Sequence, residues 1–92
     1  MQKVELKIIN AVGLHARPAA EFVKTATQFQ SKITIRNLTK SSAGVDAKSI
    51  LSVLMLGVEK DHEIALVAEG EDELQAVQAL RALIESDFAG KF

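Results

Sequence analysis

The amino-acid sequence predicts an α+β fold: a four-stranded antiparallel sheet with three helices on one face, in the order β-α-β-β-α-β-α. Segments with apolar residues at every second position alternate with segments of helical spacing. The connections between them are too short for a doubly wound parallel sheet. Helices that cover one face of an antiparallel sheet bury its apolar side, so we expect an open-faced sandwich.

The first two strands and the first helix are predicted within residues 2–36. Residues 2–9 alternate apolar and charged side chains, which is typical of a half-buried strand. Ile33 and Ile35 are each followed by a polar residue and indicate the second strand. Residues 17–29 have helical spacing, and the predicted inward side consists of Ala19, Phe22, Val23, Ala26 and Phe29.

A turn, a short strand and a short helix are predicted next. The turn formers at Asn37–Gly44 precede a third strand over residues 44–47. A brief helix follows over residues 49–56, with Ser49 as its N-cap and Gly57 at its C-terminal end.

The last strand and the last helix complete the predicted fold. Ile64, Leu66 and Ala68 alternate with other residues and indicate strand four. The final helix is expected over residues 72–88, and the acidic residues 71–73 complement the positive end of its dipole. Its predicted inward side consists of Leu74, Val77, Leu80 and Ile84.

Length and composition limit the class of protein. Ninety-two residues suffice for one domain, residues 1–92, and an apolar content of 48% argues against disorder. Cysteine is absent, which excludes disulfides and thiolate-bound zinc. No secretory signal is visible, and the apolar run 50–58 is far shorter than the ~20 residues that span a bilayer. We expect a cytoplasmic monomer with no cofactor, no metal site and no membrane insertion.

The most informative motif lies between the first strand and the first helix. Gly13 ends the strand pattern, and Pro18 suits the first helical turn. His15 therefore precedes a helix N-terminus, where the N–H groups of Ala16 and Arg17 are candidate donors to an anion. The guanidinium of Arg17 adds a cation that matches phosphate oxygens. An imidazole beside a phosphate site indicates a histidine that is itself phosphorylated.

The charge is distributed unevenly along the chain. Residues 1–48 hold eight Lys or Arg against three Asp or Glu, whereas residues 49–92 hold three against nine. The basic half contains His15 and suits an anionic group or an acidic docking partner. The alternative is that halves of the sequence do not form separate regions in space.

Three segments of the sequence resemble HPr, the family of histidine-containing phosphocarriers of the bacterial phosphoenolpyruvate:sugar phosphotransferase system. Gly13–Ala19 is similar to the family's active-site signature. Asp46–Leu51, leading to Leu56-Gly57, is similar to its regulatory-serine region, and Ala68–Glu73 resembles the entry into its last helix. The three segments occur in family order and the resemblance covers nearly the whole chain.

The resemblance implies a phosphoryl carrier and not an enzyme. His15 would accept a phosphoryl group from phospho-enzyme I, on ring nitrogen Nδ1, and pass it to enzyme IIA domains for sugar uptake; the sequence itself does not separate Nδ1 from Nε2. Arg17 and the backbone of Ala16 would bind the phosphate. The partner-docking residues implied are Lys24, Lys48, Ile50, Leu51 and Leu54.

Ser49 has two interpretations. A serine at a helix N-cap needs no further role, since alanine there costs about 0.5–2 kcal/mol. The resemblance adds regulation by an HPr kinase/phosphorylase, because a phosphate at Ser49 would place about −1.5 to −2 charges on the docking face. The same carrier chemistry could also serve a regulatory branch in place of sugar uptake.

The sequence departs from the family pattern at three places. Val12 replaces a small polar residue, Asn37–Gly44 is about three residues longer than the usual hairpin, and Ser52 replaces a glycine or lysine. These departures affect partner choice and kinase recognition more than the chemistry of His15.

Two other classes of function are weaker. A nucleic-acid module would stack bases on strand aromatics, but the aromatic residues are predicted in helices or at the C-terminus: Phe22, Phe29, Phe88 and Phe92. A histidine phosphatase would need more acids or bases than His15 and Arg17 supply. His62, between two acidic residues in a predicted turn, has no second ligand at metal-binding spacing.

Overall fold

The strands and helices follow one another in the predicted order. The computed structural model describes residues 1–88, so residues 89–92 of the predicted domain 1–92, including Phe92, lie outside the described residues. The elements are β1 (Gln2–Lys7), α1 (Ala16–Ala26), β2 (Lys32–Asn37), β3 (Val45–Asp46), α2 (Ile50–Met55), β4 (Glu63–Glu69) and α3 (Glu73–Glu85).

The strands form one antiparallel sheet in the order β1-β4-β2-β3. The long strand β4 pairs with both β1 and β2, and the register sets Leu6 opposite Ile64 and Ile35 opposite Leu66. β3 pairs with β2 through two residues only. The predicted α+β fold, a four-stranded antiparallel sheet with three helices, is confirmed.

One face of the sheet is buried and forms one side of the hydrophobic core. Leu6, Ile35 and Leu66 point to this face and are buried, whereas Lys3 and Arg36 lie in the alternate rows and are exposed. α3 packs on β1 and β4 and against α1, and α1 packs against α2. Each large apolar side chain buried in this layer contributes about 1.5–3 kcal/mol. The main helical contributors are Phe22, Val53, Leu80 and Ile84.

The first helix ends earlier than the predicted limit at Phe29. Its C-cap is Thr27, whose hydroxyl donates to the Lys24 carbonyl oxygen over 2.8 Å. After Ala26 the backbone hydrogen bonds join residues three positions apart, as in a 3₁₀ turn; the Phe29 N–H donates to the Ala26 carbonyl. Phe29 therefore lies beyond the helix, although its ring still packs against the core.

The last helix differs from its prediction in extent and in one inward residue. It ends at Glu85 because Asp87 and Phe88 have a positive φ of 55°, which a right-handed helix cannot continue. Leu74, predicted inward, is 49% exposed, and Ala76 is buried instead. At 3.6 residues per turn Leu74 lies about 200° around the helix from Ala76, away from the sheet.

The first strand leaves the sheet at Lys7, two residues before its predicted end. Ile8 still donates to the His62 carbonyl over 2.9 Å and accepts from the Asp61 N–H over 2.7 Å. Because these bonds join it to the turn before β4, Ile9 is left 47% exposed. The third strand is likewise shorter than predicted, since only Val45–Asp46 pair with β2.

Asn37, at the end of β2, joins three segments. It is fully buried; its Nδ2 donates to the Leu56 carbonyl over 3.2 Å and lies 3.2 Å from His62 Nδ1. His62 Nδ1 also accepts the Glu59 N–H over 3.1 Å, so His62 has a structural role as a hydrogen-bond acceptor in the turn before β4. The end of α2, the β2–β3 loop and this turn are held together by one amide.

No helix in the described part of the chain is both long and apolar enough to cross a bilayer.

Asp72 connects the start of α3 to the turn between α1 and β2. Its carboxylate accepts the N–H groups of Gln30 and Ser31 over 2.8 and 2.9 Å, and the Ser31 hydroxyl as well. The Ser31 hydroxyl, followed by the Gln30 N–H, holds the pKa of Asp72 below its ordinary value of 3.8. The charged form therefore stabilises the fold above pH 3.8, and that stabilisation is lost as the pH falls through the lowered pKa.

Replacement of Asp72 by asparagine is expected to lower the melting temperature at pH 7, because the charge-assisted bonds to Gln30 and Ser31 are weakened. The difference in melting temperature between the variant and the native chain should shrink below pH 3.8. Thermal unfolding at a series of pH values measures it. Glu71→Gln removes an exposed charge next to Asp72 and is the control; an equal effect of both variants at pH 7 would contradict this role.

Candidate functional site

The segment before α1 is fixed at two points. Asn10 is buried; its Nδ2 donates to the Gly13 carbonyl over 2.6 Å, and its own carbonyl accepts the Gly13 N–H over 3.1 Å. Leu14 is buried, and its N–H donates to the Val58 carbonyl over 2.9 Å. His15 thus follows directly after an anchored residue.

Only glycine fits at position 13. Its φ is +61°, and a Cβ there would lie 2.6 Å from the Cα of Glu59 and still closer to the carbonyl oxygen of Val58. The sequence motif therefore has a steric basis: Gly13 allows the loop before α1 to lie against the backbone that follows α2.

His15 is the N-cap of α1. Its backbone is extended, with φ −80° and ψ −170°, and its carbonyl accepts the Ala19 N–H over 2.8 Å. The side chain is exposed and makes no hydrogen bond within residues 1–88. The backbone of His15 is thus held in place while its ring remains accessible.

The first turn of α1 supplies the donors nearest to His15. Pro18 has no N–H, and the Ala19 N–H already bonds to the His15 carbonyl. The backbone N–H groups of Ala16 and Arg17 lie at the same end of the helix, where the dipole favours an anion. Both residues are exposed, and Pro18 is buried. α1 begins at Ala16, one residue before its predicted start at Arg17.

α2 runs antiparallel to α1. At its beginning, Lys48 Nζ donates to the carbonyl of Phe29, just past the end of α1, over 2.7 Å. After its end, Val58 accepts from Leu14, just before the start of α1. The C-terminal end of α2 is therefore the end that lies on the side of His15.

Exposed apolar residues cover one side of α2 and form what we call the α2 patch: Ile50, Leu51, Leu54 and Met55. Leu51 is 66% and Met55 78% exposed. Residues four apart share a helix face, whereas Val53 and Leu56 turn into the core. The loop Asn37–Gly44 does not cover these residues, which all remain exposed.

The two predicted docking lysines have different surroundings. Lys24 is exposed in the last turn of α1. Lys48 is half-buried, and its ammonium donates to the Phe29 carbonyl, so it connects the segment before α2 to the turn after α1.

Ser49 has the predicted capping role. Its Oγ accepts the Ser52 N–H over 3.3 Å at the N-terminus of α2, and Gly57 follows the C-cap Leu56 with a φ of +61°. Because α2 is antiparallel to α1, Ser49 lies at the end of the α2 patch that is distant from His15.

Met55 was not among the predicted docking residues. It is the most exposed member of the α2 patch, and the signal was present in its spacing, since it lies four residues after Leu51. A shallow groove of about 460 Å³ lies elsewhere, along residues 30–34 and 44–46 with Lys48, and is not lined by His15 or Arg17.

Comparison with known proteins identifies the family. Residues 2–86 match the family model PTS-HPr, described as the PTS HPr component phosphorylation site. The chain belongs to the HPr family. Members of the HPr family are phosphocarrier proteins of the phosphotransferase system, which serves sugar transport, and are not enzymes. The resemblance noted in the sequence is thus confirmed.

The chain matches individual relatives in sequence and one HPr structure in fold. The phosphocarrier protein HPr of Neisseria meningitidis serogroup B is 41% identical over 88 residues, 96% of both chains. A multiphosphoryl transfer protein of Haemophilus influenzae is 49% identical over 73 residues, 79% of this chain but only 15% of that protein. The crystal structure of HPr-C-His from Thermoanaerobacter tengcongensis has a TM-score of 0.92 and 46% identity, with 100% of both chains covered.

Replacement of Gly13 by alanine is expected to lower the free energy of unfolding by about 2 kcal/mol or more, because a Cβ meets backbone atoms in a left-handed conformation. Denaturant unfolding measures the change. Gly44→Ala is the matched control, since its Cβ would meet nothing closer than Thr34 Cβ at 3.9 Å. Equal stability of the two variants would contradict the steric role of Gly13.

Proposed function

We propose that this chain carries a phosphoryl group on His15, accepting it from phospho-enzyme I and delivering it to enzyme IIA domains for sugar uptake. The observation that carries the proposal is the position of His15. Its backbone is fixed at a helix N-terminus by the Leu14–Val58 bond, while its ring is exposed and makes no hydrogen bond within residues 1–88. The family match over residues 2–86 supports the same chemistry.

The transfer needs a neutral ring nitrogen. Its lone pair forms an N–P bond to the phosphorus of the donor while the bond between phosphorus and donor breaks, and the electron pair of that bond returns to the donor.

The backbone of the first turn would stabilise the transferred group. The N–H groups of Ala16 and Arg17 lie where the helix dipole favours negative charge, and the guanidinium of Arg17 would contribute a permanent positive charge. Val12 replaces the small polar residue of many relatives and is 46% exposed, so it offers apolar contact at this position.

The α2 patch is the docking surface in this proposal. Leu54 and Met55 lie towards the C-terminal end of α2, on the side of His15, and Lys24 in the last turn of α1 would be a basic rim residue. Enzyme I and the IIA domains would bury this patch in succession, each presenting its own phosphorylation site to His15. The chain would work as a cytoplasmic monomer, since His15, Arg17 and the α2 patch all belong to one copy.

The His15→Ala variant is expected to lose phosphoryl acceptance completely and to keep its fold. Intact mass measured after incubation with phosphoenolpyruvate, magnesium and enzyme I reports one acid-labile phosphate on the native chain and none on the variant. The other histidine supplies the control: His62→Gln should still accept phosphate, since His62 lies in the turn before β4. Phosphate on His15→Ala would overturn the assignment.

The Arg17→Ala variant is expected to slow acceptance without abolishing it. One charge-assisted interaction with phosphate contributes about 1.5–3 kcal/mol, which corresponds to a decrease of roughly 10- to 150-fold in rate. Rapid-quench measurement of the transfer rate tests this. Lys24→Ala is the comparison for a cation on the same helix, and an Arg17→Ala rate equal to that of the native chain would refute the phosphate contact.

We also propose that Ser49 is a site of regulatory phosphorylation. Ser49→Asp adds a negative charge at the start of α2 and is expected to lower the rate of acceptance from phospho-enzyme I, because that charge lies beside the α2 patch. Ser49→Ala, which removes only the cap, should lower the stability by about 0.5–2 kcal/mol and leave the rate near that of the native chain. Equal rates for both variants would contradict an electrostatic effect.

A further inference from the structure

We infer that Lys40, in the extended β2–β3 loop, is a specificity-determining docking residue that pairs with a carboxylate on the phosphoryl-donor protein. The inference deepens the proposed function and depends on it, because it concerns the surface through which the donor would reach His15. Neither the family signature nor the α2 patch includes this residue.

The loop places the backbone of Lys40 firmly. The Lys40 N–H donates to Asn37 Oδ1 over 3.2 Å, and the Ser42 N–H donates to the Asn37 carbonyl over 3.0 Å. Thr39 Oγ1 accepts the Glu63 N–H over 2.8 Å. Since Asn37 is fully buried, the loop is attached to the core on both sides of Lys40.

The side chain of Lys40 extends to the end of α2. A Cβ built on Gly57 would lie 2.8 Å from Lys40 Nζ, so the ammonium lies directly beside the backbone of Gly57. Gly57 follows Met55 by two residues, and α2 has no basic residue in its own last turn. The loop therefore supplies the cation at the C-terminal end of α2, where the helix dipole favours positive charge.

The charge of Lys40 is available to a partner. Within residues 1–88 no carboxylate lies within 4.0 Å of its ammonium, and the residue is exposed. The C-terminal end of α2 is the end on the side of His15, because Val58 bonds to Leu14. An apolar patch with an unpaired cation at its edge complements a donor surface on which a carboxylate borders an apolar groove.

Lys48 does not offer the same interaction. Its ammonium already bonds to the Phe29 carbonyl at the opposite end of α2. A donor protein that approaches His15 over the C-terminal end of α2 therefore meets Lys40 and not Lys48. The three additional residues of the loop would thus contribute to partner choice.

The test is the initial rate of phosphoryl acceptance from phospho-enzyme I at subsaturating carrier concentration, measured at low and high salt. Lys40→Glu is expected to lower this rate about fivefold at low salt, and the difference should largely vanish near 1 M salt, where screening is strong. Lys40→Arg should restore the rate. Lys3→Glu is the matched control, since it makes the same charge change on the exposed face of the sheet.

Each outcome separates one explanation from another. Equal rates for Lys40→Glu and Lys3→Glu would overturn the inference. A loss that persists at high salt together with a lower melting temperature would also overturn it, because Lys40 would then act only on the end of α2. Absence of phosphate on the native chain would refute the proposed function itself, whereas normal acceptance insensitive to Lys40 would refute only the docking role.

Discussion

The hydrogen bond from Leu14 to Val58 is the constraint on which the site depends. It joins the loop before α1 to the segment after α2, and it requires Gly13 because a side chain would meet the backbone of Glu59. This bond determines where His15 begins its helix and brings the C-terminal end of α2 to the same side. A single backbone contact thus couples the phosphate acceptor to the apolar surface beside it.

Local features of the sequence were predictable, and features that join distant segments were not. The alternation of apolar residues, the cap at Ser49 and the stop at Gly57 depend on neighbours in the chain, and all agree with the structure. The residues of the site motif are also consecutive. The antiparallel arrangement of the first two helices depends instead on Lys48 and Phe29, which are 19 positions apart, and no periodicity reveals such a bond.

The wrong predictions about the helices concern residues near their ends. A periodic pattern continues through Phe29 and Phe88 because the first is half-buried against the core and the second is fully buried, but the backbone has already left the helix at each position. At the C-terminal ends of α1 and α3, residues therefore continue to pack on the core after the helix has ended. Leu74 shows the converse, since a large apolar residue at the start of a helix is exposed when the sheet lies on the other side.

The unequal pairing of the strands has a consequence for how the molecule opens. β4 is hydrogen-bonded to a strand on each side, whereas β3 holds to the sheet through two residues and α2 is six residues long. Amide hydrogen exchange should accordingly be slowest in β4 and fastest around β3 and α2. The surface available to partner proteins belongs to the least protected part of the fold, and it can adjust to different partners while the β1-β4-β2 layer remains closed.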